Sequence, residues 1–212
     1  TVKLPGPEHH FLINPYGLHY SEVTASNLVK VDIDGNIVEE TSYSVNPAGM
    51  LIHSTIHAAR TDVVCIAHTH TTAGSAVACQ QEGLRGDNFY SVLFANRVAY
   101  HDFEGITVEA GEKDRLLASM GDSDLLILRN HGLLTCGRSV PEAFFNMWGL
   151  QRACEIQFAV DSTGRPNIPI GDEIAAKTDQ LLAKQMGSGA PGELEFAAMT
   201  RLIEKHDPSY KD

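Results

Sequence analysis

The chain has 212 residues, 43% hydrophobic and 20% charged, with 16 Lys and Arg against 27 Asp and Glu and a formal net charge of −11. That length supports a sizeable core, and the fractions are ordinary for a globular chain. The acidic balance excludes a general nucleic-acid binder, which needs a basic face, and no apolar run is long enough to span a bilayer.

Phe11-Leu12-Ile13 is a short apolar run that ends at the turn signal Asn14-Pro15-Tyr16-Gly17. Residues 20–25 read as a loop or one helical turn. Asn27 to Asp32 alternates like a half-buried strand, Asp34-Gly35-Asn36 suits a hairpin turn, and Ile37 to Ser44 reads as the returning strand. Met50 to Ala59 has apolar residues at helical spacing. Val63 to Ala67 is a buried strand, and Thr71 to Gln81 an alanine-rich helix. Gly83 to Asn88 is a loop, followed by short strands at Phe89–Phe94 and Arg97–Tyr100. A helix at Glu112–Met120 leads to a buried strand at Leu125–Leu128, and Gly132 to Cys136 continues beyond it. Ser139 with Glu142 three residues later is a helix-starting pattern, for a helix from about Pro141 to Val160. Two further helices, Gly171–Met186 and Glu193–His206, flank a flexible glycine-rich break at residues 187–192. Strands alternate irregularly with helices, which predicts an α/β fold with a mixed sheet covered by helices.

The four cysteines, Cys65, Cys79, Cys136 and Cys154, form no C-x-x-C pair and sit among apolar residues. They read as reduced thiols. The start, Thr1-Val2-Lys3-Leu4-Pro5, shows no signal-peptide core, so the expected setting is cytoplasmic, with no membrane and no nucleic-acid partner.

His68-Thr69-His70 closes the apolar run 63–67. In a strand, residues i and i+2 share a face, so both imidazoles point one way, a common arrangement for a divalent metal. Spacing does not choose a third ligand. His131, at the end of the run Leu125–Leu128, is one candidate; His53 and His101 are open to a site role. His9, His10, His19, His57 and His206 read as ordinary core or surface histidines. Three histidines would leave a metal position open for substrate.

The segments Ala67-His68-Thr69-His70 and Asn130-His131-Gly132-Leu133 resemble the class II aldolase/adducin family, with similarity from about Phe11 to Val160. The adducin-like branch is closest in texture, through His53-Ser54, Ala58-Ala59-Arg60, Val98 to Gly105 and Ala153 to Gln157. The resemblance implies a three-layer α/β/α domain with a largely antiparallel central sheet, spanning 1–212 with residues 161–212 as a helical extension. It implies a homotetramer with sites near subunit interfaces, and metal ligands at His68, His70 and His131, with zinc the default ion.

The chain departs from the family's aldolases in three places. Their proton-transferring acid falls on Gly49, which has no side chain, and their two phosphate-holding serines fall on Pro47 and Ala48. Members also carry a helix and loop before the segment matching Phe11, so substrate contacts from that loop fall on no residue here. The family's proton-moving tyrosines fall near Tyr90 and Tyr210. Gly17 resembles a position where backbone nears substrate, though an ordinary turn explains it as well. The expected activity is a metal-dependent lyase, of aldolase or decarboxylase type, on a small hydroxy- or keto-acid rather than a sugar phosphate. The alternative is a non-catalytic, adducin-like interaction domain. An oxygen-activating iron site fits poorly, since it ordinarily adds a carboxylate to two histidines.

Overall fold

The computed structural model describes residues 1–105, 111–186 and 191–212. Its centre is a seven-stranded sheet of β1 (Val2–Lys3), β2 (Phe11–Ile13), β3 (Val29–Val31), β4 (Cys65–Thr69), β5 (Val98–His101), β6 (Leu125–Leu128) and β7 (Gly132–Gly137), in the order β3-β2-β1-β4-β7-β6-β5. Every neighbouring pair is antiparallel except β5 and β6, which are parallel. The helices are α1 (Pro47–Ala59), α2 (Thr72–Ala78), α3 (Ser91–Phe94), α4 (Glu112–Met120), α5 (Val140–Asp161), α6 (Asp172–Met186) and α7 (Glu193–His206).

Side-chain alternation along β6 divides the core. Leu125 and Ile127 point to one face with Leu133 of β7, and pack against Val77 of α2, Phe94 of α3 and Leu150 of α5. Leu126 and Leu128 point to the other with Leu134 and Cys136, and pack against Ile52 and Ile56 of α1 and Leu116 and Met120 of α4. Helices thus cover both faces, giving the α/β/α layering. A smaller cluster of Phe11, Ile13, Val29 and Val31 closes the β2–β3 edge under Met50 of α1. At the far end, Phe196 of α7 stacks edge-on to Phe144 of α5, with ring centroids 5.5 Å apart.

Local chemistry sets the ends of the helices. Asn46 caps α1 by accepting from the Ala48 N–H at 3.1 Å, and Pro47 fits the first turn, where its missing N–H costs nothing. The helix therefore begins three residues before the apolar periodicity does. Ser139 caps α5 by accepting from the Glu142 N–H, and the Glu142 carboxylate reaches back to the Arg138 N–H at 2.6 Å.

Two expected strands differ. Phe89–Phe94 forms no strand: the Asn88 side-chain oxygen accepts from the N–H groups of Tyr90 and Ser91 and starts the short helix α3. Ile37–Ser44 forms no returning strand. The turn is made, with Asp32 accepting from Asp34 and Asn36 and Gly35 at φ 86°, but pairing stops at one Val31–Ile37 bridge and a Val38-to-Lys30 bond. The buried strand read at 63–67 is shifted forward to Cys65–Thr69, because its ladder with β7 runs from Cys65–Gly137 to Thr69–Leu133. Part of the glycine-rich break, residues 187–190, lies outside the described residues.

Candidate metal centre

His68 lies in β4 opposite Leu134 of β7, on the sheet face that carries Ile66 and is covered by α1 and α4. His70 follows one residue beyond the strand end. His131 sits in the three-residue connection between β6 and β7. That connection is pinned at each residue: the Arg129 N–H donates to the His101 carbonyl, Asn130 to Ala78, and His131 to Leu128, at 2.8, 3.0 and 3.1 Å. Asn130 adopts φ 57°, a left-handed conformation that asparagine tolerates. The Ser75 hydroxyl also donates to the His131 carbonyl at 3.0 Å. Gly132 follows, and a Cβ there would stand 2.3 Å from the Thr69 carbonyl oxygen. Only glycine lets the β6–β7 turn come this close to the end of β4, and that approach brings His131 to the histidine pair.

The Nε2 atom of His68 lies 2.7 Å from Nε2 of His70 and 3.3 Å from Nε2 of His131. All three ligating atoms fall within 4.8 Å of one another. The other nitrogen of His68, Nδ1, is 2.8 Å from the Leu133 carbonyl. A carbonyl only accepts, so Nδ1 carries the hydrogen and Nε2 keeps its lone pair for the centre. Burial pushes the His68 imidazole down to about 4, against an opposing contribution from the Leu133 bond. Burial, then the charge of His70, also holds His131 below its ordinary range. Neutral rings with converging lone pairs repel unless a cation lies between them. Donor atoms around one divalent ion with bonds of about 2.0–2.1 Å stand roughly 3–3.5 Å apart, so this donor set suits such an ion.

The three rings border a cleft of about 300 Å³. Its wall is completed by Asn46, Ala48 and Gly49 at the start of α1, by Ile52 and His53 one turn on, and by Phe103 and Gly105. Among the described lining residues there is no lysine or arginine. Gly49, the place of the family's acid, faces this space. Among the described residues a Cβ there would meet nothing nearer than Asn46 at 3.8 Å. His53 is 8% exposed, and its ring stands edge-on to His68 with centroids 6.4 Å apart. A second, shallower hollow of about 560 Å³ shares His68 and His70 and adds Tyr20, Thr69 and Thr71.

The structure brings His68, His70 and His131 together and sets the two tyrosines elsewhere in the chain. Tyr90 packs on the opposite sheet face, edge-on to Trp148 with centroids 5.6 Å apart. Tyr210 lies in the last turn of the chain, beside Glu204 of α7. Neither is among the described residues of the cleft. Tyr20, which no spacing in the sequence marks, borders the shallower hollow that His68 and His70 also line. His53 carried a usable signal, since it stands four residues after Gly49 and hence on the same side of α1.

The sequence model of the class II aldolase and adducin N-terminal domain matches residues 1–158. The chain belongs to this family. A crystal structure of an aldolase II superfamily protein from Pseudomonas syringae is 44% identical, with a TM-score of 0.91, over 100% of this chain and 84% of that one. The L-fuculose 1-phosphate aldolase of Glaciozyma antarctica is 30% identical, with a TM-score of 0.85, over 100% of this chain and 81% of that one. Rat alpha-adducin is 43% identical over 96% of this chain, which spans 29% of the adducin. The α/β/α layers are those of the family's aldolases, and the relationship supports a lyase-type role.

Proposed function

We propose that the protein is a metal-dependent carbon–carbon lyase for a small, non-phosphorylated hydroxy- or keto-acid, with His68, His70 and His131 as ligands and zinc as the ion. The observation that carries this reading is the meeting of three Nε2 atoms from two separate stretches of chain at the mouth of one cleft. A divalent ion held there supplies a Lewis acid that draws electrons from a carbonyl oxygen while a neighbouring carbon–carbon bond breaks. The Leu133 carbonyl orients His68, and the pinned turn at residues 129–131 orients His131. Ile52 and Phe103 give the cleft an apolar wall.

A phosphate tail is disfavoured by the same walls. Where the family's aldolases place hydroxyls, this chain has Pro47 and Ala48, and the described lining offers no cation to neutralise a dianion. Tyr90 and Tyr210 enter this reading only across a subunit boundary, since each stands outside the cleft of its own chain. A homotetramer with clefts near its interfaces is the assembly that would use them. No helix among the described residues is long and apolar enough to cross a membrane. Four free cysteines, three of them buried, fit a reducing, cytoplasmic setting.

The test is to load the purified protein with zinc and supply 3-hydroxy and 4-hydroxy 2-keto acids. Release of pyruvate, aldehyde or carbon dioxide from any member supports the reading, and no release with zinc bound overturns it. The glycine at position 49 and the likeness to alpha-adducin favour a second reading, a non-catalytic interaction domain. Co-sedimentation with actin filaments separates the two.

A further inference from the structure

We propose that His53 is a catalytic residue whose Nε2 moves the proton that the absent acid at position 49 would otherwise move. The inference rests on the lyase reading above and adds the group that reading lacks. Gly49 and His53 lie one turn apart on the same side of α1, and both line the cleft. The side chain has been lost at the first position and an imidazole projects from the second. Its Nδ1 is already engaged, 2.9 Å from the Thr1 hydroxyl. That hydroxyl also stands 2.9 Å from Nε2 of His57, so one oxygen fixes the tilt of both rings. His57 is in turn stacked on Phe11, with centroids 4.4 Å apart. His53 therefore lines the cleft with a ring held through Nδ1, and no hydrogen bond to its Nε2 is formed among the described residues. With Nδ1–H donating to the Thr1 hydroxyl, Nε2 keeps a lone pair on a ring that borders the cleft, which is what a general base requires.

The step balances for a 4-hydroxy 2-keto acid. His53 Nε2 takes the proton from the C4 hydroxyl, the C3–C4 bond breaks, and C4 leaves as an aldehyde. The bonding pair passes to C3, conjugated with the C2 carbonyl. C3 then takes the proton back from His53, and the retained fragment leaves as pyruvate. No oxidant or further reactant is needed. Run backwards without aldehyde, the same nitrogen removes a methyl proton from pyruvate, so pyruvate in deuterated water should exchange its methyl hydrogens.

Three measurements on the zinc-loaded chain test this, with pyruvate and oxalate as probes. His53→Asn and His53→Gln should each keep a bound zinc and hold oxalate within about threefold of the parent, while methyl exchange falls by about 100-fold or more. Two substitutions are used so that one folded variant suffices. In the parent protein, diethyl pyrocarbonate should acylate His53, located by peptide mass spectrometry, and oxalate should slow that acylation by about fivefold or more. Exchange in both variants within about threefold of the parent overturns the inference and leaves the lyase reading standing. Loss of zinc with His53, or acylation that ignores oxalate, overturns it as well. A parent protein that binds zinc yet neither exchanges pyruvate nor cleaves any keto acid overturns the lyase reading, and the role of His53 falls with it.

Discussion

The side chain of His68 is tied to the backbone of Leu133: its Nδ1–H donates to the Leu133 carbonyl at 2.8 Å, across the same pair of strands whose ladder sets Thr69 opposite Leu133. The bond fixes the tautomer, and Leu133 is itself wholly buried, its side chain on the far sheet face. His68 is thus the most firmly placed of the three imidazoles, and it contacts both of the others.

Removing a ring should therefore cost more than disturbing a partner. His68→Ala and His131→Ala are each expected to weaken zinc binding by more than the roughly 10–100-fold that loss of an outer hydrogen-bond partner causes. Competition against a chromophoric chelator measures this. Equal zinc affinity in either variant would show that the converging nitrogens do not hold the ion.

Gly132 controls the approach of the two stretches. Adding a methyl group drives Cβ to 2.3 Å from the Thr69 carbonyl oxygen, a clash with backbone that no rotamer relieves. Gly132→Ala is expected to lose about 2–3 kcal/mol in urea unfolding and to weaken zinc binding with it, as His131 is pushed from His70. Gly164→Ala is the control: φ is 63° and among the described residues nothing lies within 4 Å of the added Cβ, so only local backbone strain of about 1 kcal/mol is expected.

The contrast between these elements explains how much could be read from sequence. Leu125–Leu128 and Glu193–His206 have the bounds their patterns predicted, the first because four consecutive apolar residues fit a strand buried on both faces. The histidine pair was legible for the same local reason, a period of two at a strand end. The proximity of His131 was not, because it depends on the register of β4 against β7 and on a glycine crossing that no local pattern encodes. Residues 37–44 read as a returning strand from the turn that precedes them, but pairing stops after one bridge, at Val31 and Ile37. Tyr20 borders the same hollow as His70 because the fold returns the β2–β3 connection toward the end of β4.

The pH dependence of folding should show the buried His57. Burial pushes its imidazole down to about 3 from an ordinary 6.5. The unfolded chain binds this proton below pH 6.5, and the folded chain resists it until about pH 3. The stabilisation is therefore complete above pH 6.5 and is lost progressively as pH falls from 6.5 toward 3, with a slope of up to about 1.4 kcal/mol per pH unit. Urea midpoints between pH 7 and pH 4.5 should fall less steeply in His57→Phe than in the parent. Parallel curves would place the acid sensitivity elsewhere.

Gly49→Glu separates stability from chemistry at one position. Glycine in the first turn of α1 loses more backbone entropy on folding than glutamate does, and a carboxylate there faces the positive end of the helix dipole. Among the described residues the nearest atom to a Cβ at this position lies at 3.8 Å. The substitution is therefore expected to raise stability by about 1 kcal/mol, read from urea unfolding. It also restores an acid at the family's position, one turn from His53 on the same side of the helix. In the His53→Asn background it should recover pyruvate methyl exchange by about tenfold or more, because the carboxylate can carry the same proton over the same cleft. A stable double variant that binds zinc but regains no exchange would show that the wall at position 49 lies too far from the reacting carbon. In that case a proton path through α1 would have to run from position 53 alone.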